Sequence, residues 1–362
     1  SMFAQAHSPQ SLSHEELDRY LHLGWFRMGQ TIFTTHFLNF KSEFYSAVWL
    51  RIDLNRFFED STQTKLFKRN ASFRTEVKPA SITPVQEALY TKYKKNISFE
   101  ASASLKTLLF GRSPYQIYTT YEVNVYDGER LIGSGFFDIG KNAAAGISSF
   151  YDPEYKKFSL GKYLIYQKVN FCRQQGLEYF YPGYFVPGYS LFDYKLTIGK
   201  SALEYLEVHS GKWFPLDKFN PHQTALSIMR NKLAVLQQLL SEAEIESKVL
   251  LYEYFDANLV PGLTDADLLD FPIILYCDAL DGGDFALLVV YDVQDQLYKL
   301  IQCISVWSSD APGSPAGFYS SHLLKIADSL MTAASPEELV STLSTTIKTP
   351  EKSSSGRDWV KF

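Results

Sequence analysis

The stretch from Ser148 to Lys195 combines residue types that can bind and activate a substrate. It reads SSFYDPEYKKFSLGKYLIYQKVNFCRQQGLEYFYPGYFVPGYSLFDYK. In its KKFSLGKY turn, the backbone amides of residues 160–162 can face an anion or a developing oxyanion at the start of a helix. We therefore expect a binding cleft in this part of the chain.

The same stretch predicts the elements that would position such a cleft. Asp152-Pro153 breaks an apolar run, and helix-forming residues then continue from Gly161 to Gln175 until Gly176 stops them. An aromatic run follows. Its prolines and glycines argue against an uninterrupted central strand. We expect a β-turn-α-β unit whose second strand is splayed and leaves backbone groups free for a ligand.

One chemistry for such a cleft is transfer of an acyl group from coenzyme A. A pyrophosphate-binding loop usually offers several glycines at the start of a helix. This turn has one glycine, Gly161. A coenzyme A site is therefore only weakly supported.

A second chemistry is suggested by the segment from Ser61 to Lys95, where basic and aromatic residues alternate. Only Glu76 and Glu87 oppose its basic residues. Such a mixture suits a phosphate backbone with stacked bases, and it is also typical of an ordinary solvated surface. The residues concerned are Lys65, Lys68, Arg69, Arg74, Lys78, Lys92, Lys94, Lys95, Phe67, Phe73, Tyr90 and Tyr93.

Composition limits the class of protein. The chain has 362 residues, 46% of them hydrophobic, and a net charge of −5, which indicates a packed protein of two or three domains that is not strongly basic. Its three cysteines have no Cys-x-x-Cys spacing, so we predict buried thiols and no metal site. We found no signal region and no apolar run long enough to span a bilayer, and we expect a reducing compartment, the cytoplasm.

Patterns outside the Ser148 to Lys195 stretch predict the remaining elements. We expect a capped helix at residues 14–23, strands before Asp53, a three-stranded meander between Tyr118 and Tyr151, and an amphipathic helix from His222 to Ile245. Three strands should follow, with turns at 281–284 and 292–295, and then helices at 320–333 and 336–347. The aspartates of this last third, including Asp270 and Asp292, are expected at turns and on the surface.

Five motifs, in order, give the chain from about Leu12 to Leu206 a resemblance to the aminoacyl-tRNA-protein transferases. These are the arginyl-transferases of eukaryotes and their leucyl-transferring bacterial relatives. Each motif alone is weak, and their common order makes chance an unfavourable explanation. The motifs are LHLGWFRMG, TQTKLFKRN, FYDPEYKKFSLG, GYFVPG and the pair Tyr194-Lys195.

The resemblance implies an α/β (α+β) fold with an acetyltransferase-like (GNAT-like) mixed sheet and flanking helices in two lobes. It places an N-terminal lobe at residues 1–95 and a transferase lobe at 96–219, and leaves an α+β extension at 220–362. The implied reaction moves arginine or leucine from its tRNA to the N-terminal α-amine of an acceptor protein, as in N-degron pathways. The implied partners are aminoacyl-tRNA and that protein, with no cofactor, membrane or DNA.

The resemblance also gives provisional roles to matching residues. Asp152 would orient the incoming amine, although it is equally suited to cap the next turn. Tyr184 and Tyr194 would line the aminoacyl pocket, and Lys195 would pair with a substrate carboxylate. The expected contacts with tRNA phosphate or an acidic acceptor are Arg27, Lys65, Lys68 and Arg69, and the SLG turn contributes Ser159 and Gly161.

The chain departs from the family pattern in two places. The region from His36 to Trp49 lacks the grouped cysteines of the relatives, so their metal chemistry is not carried over. After Tyr194-Lys195 the sequence continues as LTIGKSALEY instead of reaching an Arg-Pro pair. A binding protein that has lost transfer, and a coenzyme A-dependent N-acyltransferase, therefore stay open as alternatives.

Overall fold

A computed structural model describes residues 2–277, 285–308, 317–319 and 322–348, with side chains to residue 345. The α-helices are α1 (His14–His22), α2 (Ser61–Arg69), α3 (Pro84–Lys94), α4 (Leu105–Phe110), α5 (Leu160–Gln174), α6 (Ala225–Glu242) and α7 (Pro336–Lys348). The first strands are β1 (Gln5–His7), β2 (Phe26–Met28), β3 (Thr31–Thr34), β4 (Phe37–Phe40), β5 (Glu43–Ser46), β6 (Val48–Asp53), β7 (Arg74–Pro79), β8 (Thr120–Asp127), β9 (Arg130–Ile139) and β10 (Ala143–Tyr151). The others are β11 (Tyr179–Phe185), β12 (Leu203–Glu207), β13 (Lys212–Pro215), β14 (Lys248–Tyr252), β15 (Ile273–Tyr276), β16 (Phe285–Asp292), β17 (Leu297–Ser308), β18 (Phe318–Tyr319) and β19 (His322–Ala333).

An eight-stranded mixed sheet forms the larger part of the molecule. Its strand order is β13-β12-β6-β11-β10-β9-β8-β7, and β10 and β11 are its parallel pair. Helix α5 connects these two strands, as a parallel pair requires a crossover. The expected α+β mixed sheet with flanking helices is confirmed, and an α+β extension follows it.

Local sequence signals explain where these elements begin and turn. Ser13 and Glu16 form the predicted capping box at the start of α1. The β8–β9–β10 meander turns at the predicted positions, and Gly128 there adopts a φ of +59°, which glycine tolerates without strain. Helix α5 ends before Gly176, with a φ of +73°.

The parallel pair β10–β11 is short, and this opens the sheet. Residues 143–145 of β10 pair with residues 179–181 of β11, and the register of β10 on β9 then shifts between Gly146 and Ser148. Beyond that bulge the two strands diverge. The expectation against an uninterrupted central strand is wrong. β11 is continuous and central between β6 and β10, because a second register shift between Phe180 and Gly183 accommodates its Pro-Gly step.

The C-terminal part contains a second sheet, with strand order β18-β14-β15-β16-β17-β19. The buried face of α6 packs on it, as the apolar spacing predicts, through Leu226, Met229, Leu233, Leu236 and Leu240. The prediction of a helix at 320–333 is wrong. Its described part, residues 322–333, forms β19, because pairing with β17 along its length outweighs local helix preference. The predicted turn at 281–284 lies outside the described residues.

The two parts of the molecule share apolar contacts. The hairpin of β4 and β5 inserts Phe37 and Phe44 into the core of the extension. Strands β6 and β7 come from the first 95 residues but pair within the eight-stranded sheet. The division at residues 95 and 219 stays a prediction. The eight-stranded sheet crosses the first boundary, and an apolar core crosses the second.

Two aspartates of the extension are buried, so the expectation of surface positions is wrong for them. Asp270 accepts backbone hydrogen bonds from Phe3 at 2.5 Å and Ala4 at 3.2 Å. Asp292 forms an ion pair with Lys299 at 2.8 Å. These partners replace the water that each carboxylate loses on burial.

Candidate functional site

A cavity of about 620 Å³ opens where β10 and β11 diverge. The bulge of β10 forms one wall, the first turns of α5 form another, and the segment after β11 closes the third side. The region after α3 contributes the rim. The lining residues are Tyr93, Asn96, Ile97, Ser98, Phe99, Gly146, Ile147, Ser148, Ser149, Tyr151, Lys156, Ser159, Gly161, Lys162, Ile165, Lys168, Phe180, Pro182, Leu191, Phe192, Tyr194 and Lys195.

Four residues predicted from sequence meet in this cavity. Ser159 and Gly161 lie at the first turn of α5, and Tyr194 and Lys195 lie on the opposite wall. Ser159 adopts a φ of +54°, so α5 begins abruptly, and its side chain does not cap the helix. Tyr184 lies behind this wall, where its ring packs against Trp49 with a centroid distance of 4.9 Å.

Lys195 is fixed in the cavity wall by backbone and aromatic contacts. Its Nζ donates to the carbonyl oxygen of Tyr184 at 2.7 Å and lies 5.0 Å from the ring centroid of Phe192. Gly183 makes room for it, since a Cβ there would lie 3.2 Å from Nζ. Burial lowers the pKa of Lys195 to about 7.

A buried lysine of the cavity was missed at the sequence level. Lys168 is only 2% exposed, and its Nζ donates to the carbonyl oxygen of Ser148 and to Ser149 Oγ, both at 2.9 Å. Burial lowers its pKa to about 7, with the Cys172 thiol acting in the opposite direction. The signal was present, because Lys168 lies one helical turn from Leu164 and Cys172 on the apolar face of α5.

Asp152 lies outside the set of lining residues and has structural partners. It is 2% exposed and caps the turn after β10 by accepting from the amide of Glu154 at 3.0 Å. Arg130 contacts it at 2.6 Å and Lys92 at 3.0 Å. Although burial acts to raise its pKa, these hydrogen bonds and the nearby cations hold the pKa below its usual value. These contacts fit the alternative role of Asp152, which is to cap the turn. Its role in orienting the incoming amine stays a prediction.

The basic residues of α2 lie on the surface beside the cavity. Lys65, Lys68 and Arg69 are exposed. Arg69 connects them to the cavity, because its Nη1 lies 3.5 Å from Ser159 Oγ and 3.4 Å from the carbonyl oxygen of Lys157. This side of the molecule can meet a polyanion that reaches into the cavity.

Arg27 lies inside the protein, whereas its predicted contact with tRNA phosphate or an acidic acceptor requires a surface position. Its guanidinium pairs with Asp138 at 2.9 Å and donates to Thr120 Oγ1 and to the carbonyl oxygens of Gly29 and Leu109. It lines a second cavity of about 710 Å³, which shares no lining residue with the first. Phosphate binding by Arg27 stays a prediction that this burial does not favour.

The donors for a metal site are not assembled here. In the described part of the chain, no group of three or more His, Cys, Asp or Glu side chains is placed to hold a metal ion. The β4–β5 hairpin occupies the region where the relatives have grouped cysteines, and it contains none. No described helix is long and apolar enough to cross a membrane.

The cavity has a marked charge pattern. Four lysines line it: Lys156, Lys162, Lys168 and Lys195. Its lining residues, all within the described ranges, include no aspartate or glutamate. Tyr93, Phe99, Tyr151, Phe192 and Tyr194 add aromatic surface. The site therefore suits a ligand that carries anionic groups, a stackable ring and an uncharged portion.

Comparison with known proteins agrees with the earlier resemblance. Residues 85–204 match the family model described as arginine-tRNA-protein transferase, C terminus. The match includes α3, the meander, α5 and β11, and so it contains most of the lining of the cavity.

Curated relatives extend over more of the chain. The aspartate/glutamate leucyltransferase of Leptospira interrogans is 24% identical over 225 residues, covering 60% of this chain and 86% of the relative. The enzyme of the same name from Vibrio cholerae is 25% identical and covers 61% and 84%. A solved structure of FemX is 10% identical and covers 56% and 69%, but its TM-score of 0.31 is too low to support a conclusion. The family model and the relatives thus agree that this chain is similar to the aminoacyl-tRNA-protein transferases, most clearly over residues 85–204.

Proposed function

We propose that this protein transfers leucine from its tRNA to the N-terminal α-amine of proteins that begin with aspartate or glutamate. The observation that carries the proposal is the lysine-rich lining of the cavity without a carboxylate. An arginyl group would bring its guanidinium beside the lysine side chains and would find no acidic partner among the lining residues. A leucyl side chain avoids that cost, and an acidic acceptor residue supplies the missing negative charge.

The arrangement suggests where each part of the substrates binds. Lys156 and Lys162, near the start of α5, suit the phosphates of the terminal nucleotides of tRNA. The aromatic rim suits stacking of the last base. We assign the side chain of the acceptor residue to Lys195, because it is the lysine on the wall opposite α5. Lys65, Lys68 and Arg69 extend the basic surface toward the acceptor stem.

The chemistry makes modest demands on the enzyme. An aminoacyl ester is already activated, and an α-amine with a pKa of about 7.7–8.0 is partly free base at neutral pH. Holding the amine against the ester carbonyl therefore accounts for much of the expected acceleration. Backbone amides at the first turn of α5 are suited to stabilise the oxyanion that forms on that carbonyl.

The direct test mixes the protein with tRNA carrying labelled leucine or labelled arginine and with peptides that begin with Asp, Glu, Asn or Lys. We expect label in the Asp and Glu peptides, with leucine preferred over arginine by at least about tenfold, roughly 1.4 kcal/mol. The Asn peptide is the matched control, since it has the shape of Asp without its charge. Equal transfer to Asp and Asn peptides, or preference for arginine, would contradict the proposal.

The same experiment separates the alternatives that the sequence left open. Retention of tRNA without transfer would indicate a binding protein. Consumption of acetyl-coenzyme A with an amine acceptor, and no use of tRNA, would indicate an N-acyltransferase. Modification of acidic N-termini would assign the protein to an N-degron type of pathway, and its need for charged tRNA would place it in the cytoplasm.

A further inference from the structure

Lys168 occupies a site that the fold has built for an amine without a counter-ion. Its side chain leaves α5 and reaches the bulge of β10, where Ser148 and Ser149 accept its hydrogen bonds at 2.9 Å. Gly135 on β9 provides the space, since a Cβ there would lie 3.0 Å from Lys168 Cε and 2.9 Å from the carbonyl oxygen of Ser148. A larger residue at position 135 would displace the lysine.

The hydrogen bonds around Lys168 fit a neutral amine. A neutral amine has two N–H donors and one lone pair, whereas an ammonium has three donors and no acceptor. The two acceptors at the bulge match the two donors, which leaves a lone pair at the wall of the cavity. No acidic side chain forms an ion pair with Lys168 among the described contacts, so nothing there holds it in the charged form.

We propose that Lys168 is the base that takes a proton from the α-ammonium of the acceptor protein. This inference rests on the proposed function. The base must touch the nitrogen that reacts, and Lys168 lies at the diverging ends of β10 and β11, in the same cavity as Lys195 and the first turn of α5. Ser149 also lines the cavity and accepts a hydrogen bond from Lys168, so it holds the amine at the cavity wall.

The proton balance of the reaction is complete with this assignment. The α-ammonium gives one proton to Lys168 and becomes a free amine, whose lone pair forms the C–N bond with the ester carbonyl carbon. The C–O bond to the ribose then breaks, and a second proton from the attacking nitrogen ends on the ribose hydroxyl. Solvent finally removes the proton from Lys168. No metal or redox partner is required for these steps.

The surroundings of Lys168 keep its basicity in the useful range. Burial lowers its pKa to about 7, close to the pH at which the transfer would take place. The titratable group that faces it from α5 is Cys172, whose own pKa is raised to about 12 by burial, so the thiol stays neutral. The residues that face it from β9 and β10, Gly135, Ser148 and Ser149, carry no charge.

The test compares Lys168→Met and Lys168→Arg with the wild-type protein, using leucyl-tRNA and an Asp-initiated peptide. We expect kcat at pH 7 to fall by about 5–10-fold in both variants, because only roughly a tenth of an α-amine with a pKa of about 7.7–8.0 is free base there and arginine cannot act as a base. Binding of tRNA and the thermal unfolding temperature, measured in parallel, report whether each variant is folded. The Lys168→Met variant keeps nearly the length of the lysine and buries no charge. It therefore still tests the assignment if the Arg variant misfolds.

A second acceptor distinguishes a base from a merely structural lysine. The aminooxy analogue of the Asp peptide presents a nucleophile that is neutral at pH 7, so it arrives without a proton to remove. We expect Lys168→Met to lose less than about twofold with this acceptor. Equal losses with both acceptors, or a kcat above half of the wild-type value with the Asp peptide, would overturn the assignment. Absence of transfer by the wild-type protein would instead contradict the proposed function itself.

Discussion

At the scale of single residues, the site depends on glycines that leave room for lysines. Gly133 and Gly135 lie two positions apart on β9 and face the same side of the sheet. A Cβ at position 135 would lie 2.9–3.0 Å from Ser148, Lys168 and Ser149, whereas a Cβ at position 133 has its nearest neighbour at 3.5 Å. Of these two glycines, Gly135 is therefore the one that makes room for Lys168.

We predict that Gly135→Ala lowers the free energy of unfolding by about 1–3 kcal/mol and lowers kcat, because the new methyl group displaces the Lys168 amine from the bulge. Gly133→Ala is the control and should change stability by less than about 1 kcal/mol, since its methyl group makes ordinary contacts. Denaturant unfolding and the leucyl-transfer assay measure the two effects. Similar behaviour of the two variants would show that space at position 135 is not critical.

At the scale of elements, the turn between β10 and α5 is held by one buried carboxylate. Asp152 caps the turn and binds Lys92 and Arg130, and the exposed Glu154 contacts the same two cations. Asp152 is thereby suited to fix the direction in which the chain enters α5. Its partners are about half exposed, which limits the strength of the ion pairs.

We predict that Asp152→Asn destabilises the protein by about 1–2 kcal/mol at pH 7 and leaves the activity of folded molecules within about twofold. The folded-state pKa of Asp152 is depressed, so its stabilising contribution is present above the unfolded pKa of about 3.9 and is lost as pH falls through the folded value. Unfolding measured at pH 7 and pH 3 should show this difference shrinking. Glu154→Gln, at a side chain that is 63% exposed, is the matched control with little effect. Loss of activity without loss of stability would support the orienting role that the resemblance implied.

At the scale of the whole molecule, the extension and the transferase part share a core. Phe44 on the β4–β5 hairpin packs against Phe255 and Phe318 of the extension, with ring centroids 5.2 Å and 5.8 Å apart. The other face of the hairpin stacks Phe40 on Tyr189, beside the segment that carries Lys195. The extension therefore supports the cavity wall through the hairpin.

We predict that Phe44→Ala costs about 3–5 kcal/mol and lowers the melting temperature of the whole chain as one transition, because both parts lose the same buried contact. Phe58→Ala is the control, since Phe58 is 60% exposed whereas Phe44 is 8% exposed. Calorimetry and circular dichroism at two wavelengths measure the transition. Two separate transitions, with only one of them shifted, would show that the parts unfold independently.

The sequence by itself determined much of the local structure and part of the site. The capped helix α1, the β8–β10 meander and the limits of α5 follow from caps, turn residues and period, which act within a few positions of the chain. The sequence also predicts that the SLG turn and the Tyr194-Lys195 pair lie in the cleft, because both belong to the motifs that carry the resemblance. The similarity to the aminoacyl-tRNA-protein transferases, too, could be inferred from the order of weak motifs.

Only the tertiary structure decided the features that depend on distant pairing and burial. Residues 322–333 form a strand because β17 pairs along them. Arg27 forms an internal ion pair because Asp138 lies beside it. The spacing along α5 indicates that Lys168 is buried, but its place in the cavity depends on how β9 and β10 lie against α5. The pKa of a buried amine is set by the solvent and charge that the fold removes or supplies, and that information is spread over residues far apart in the sequence.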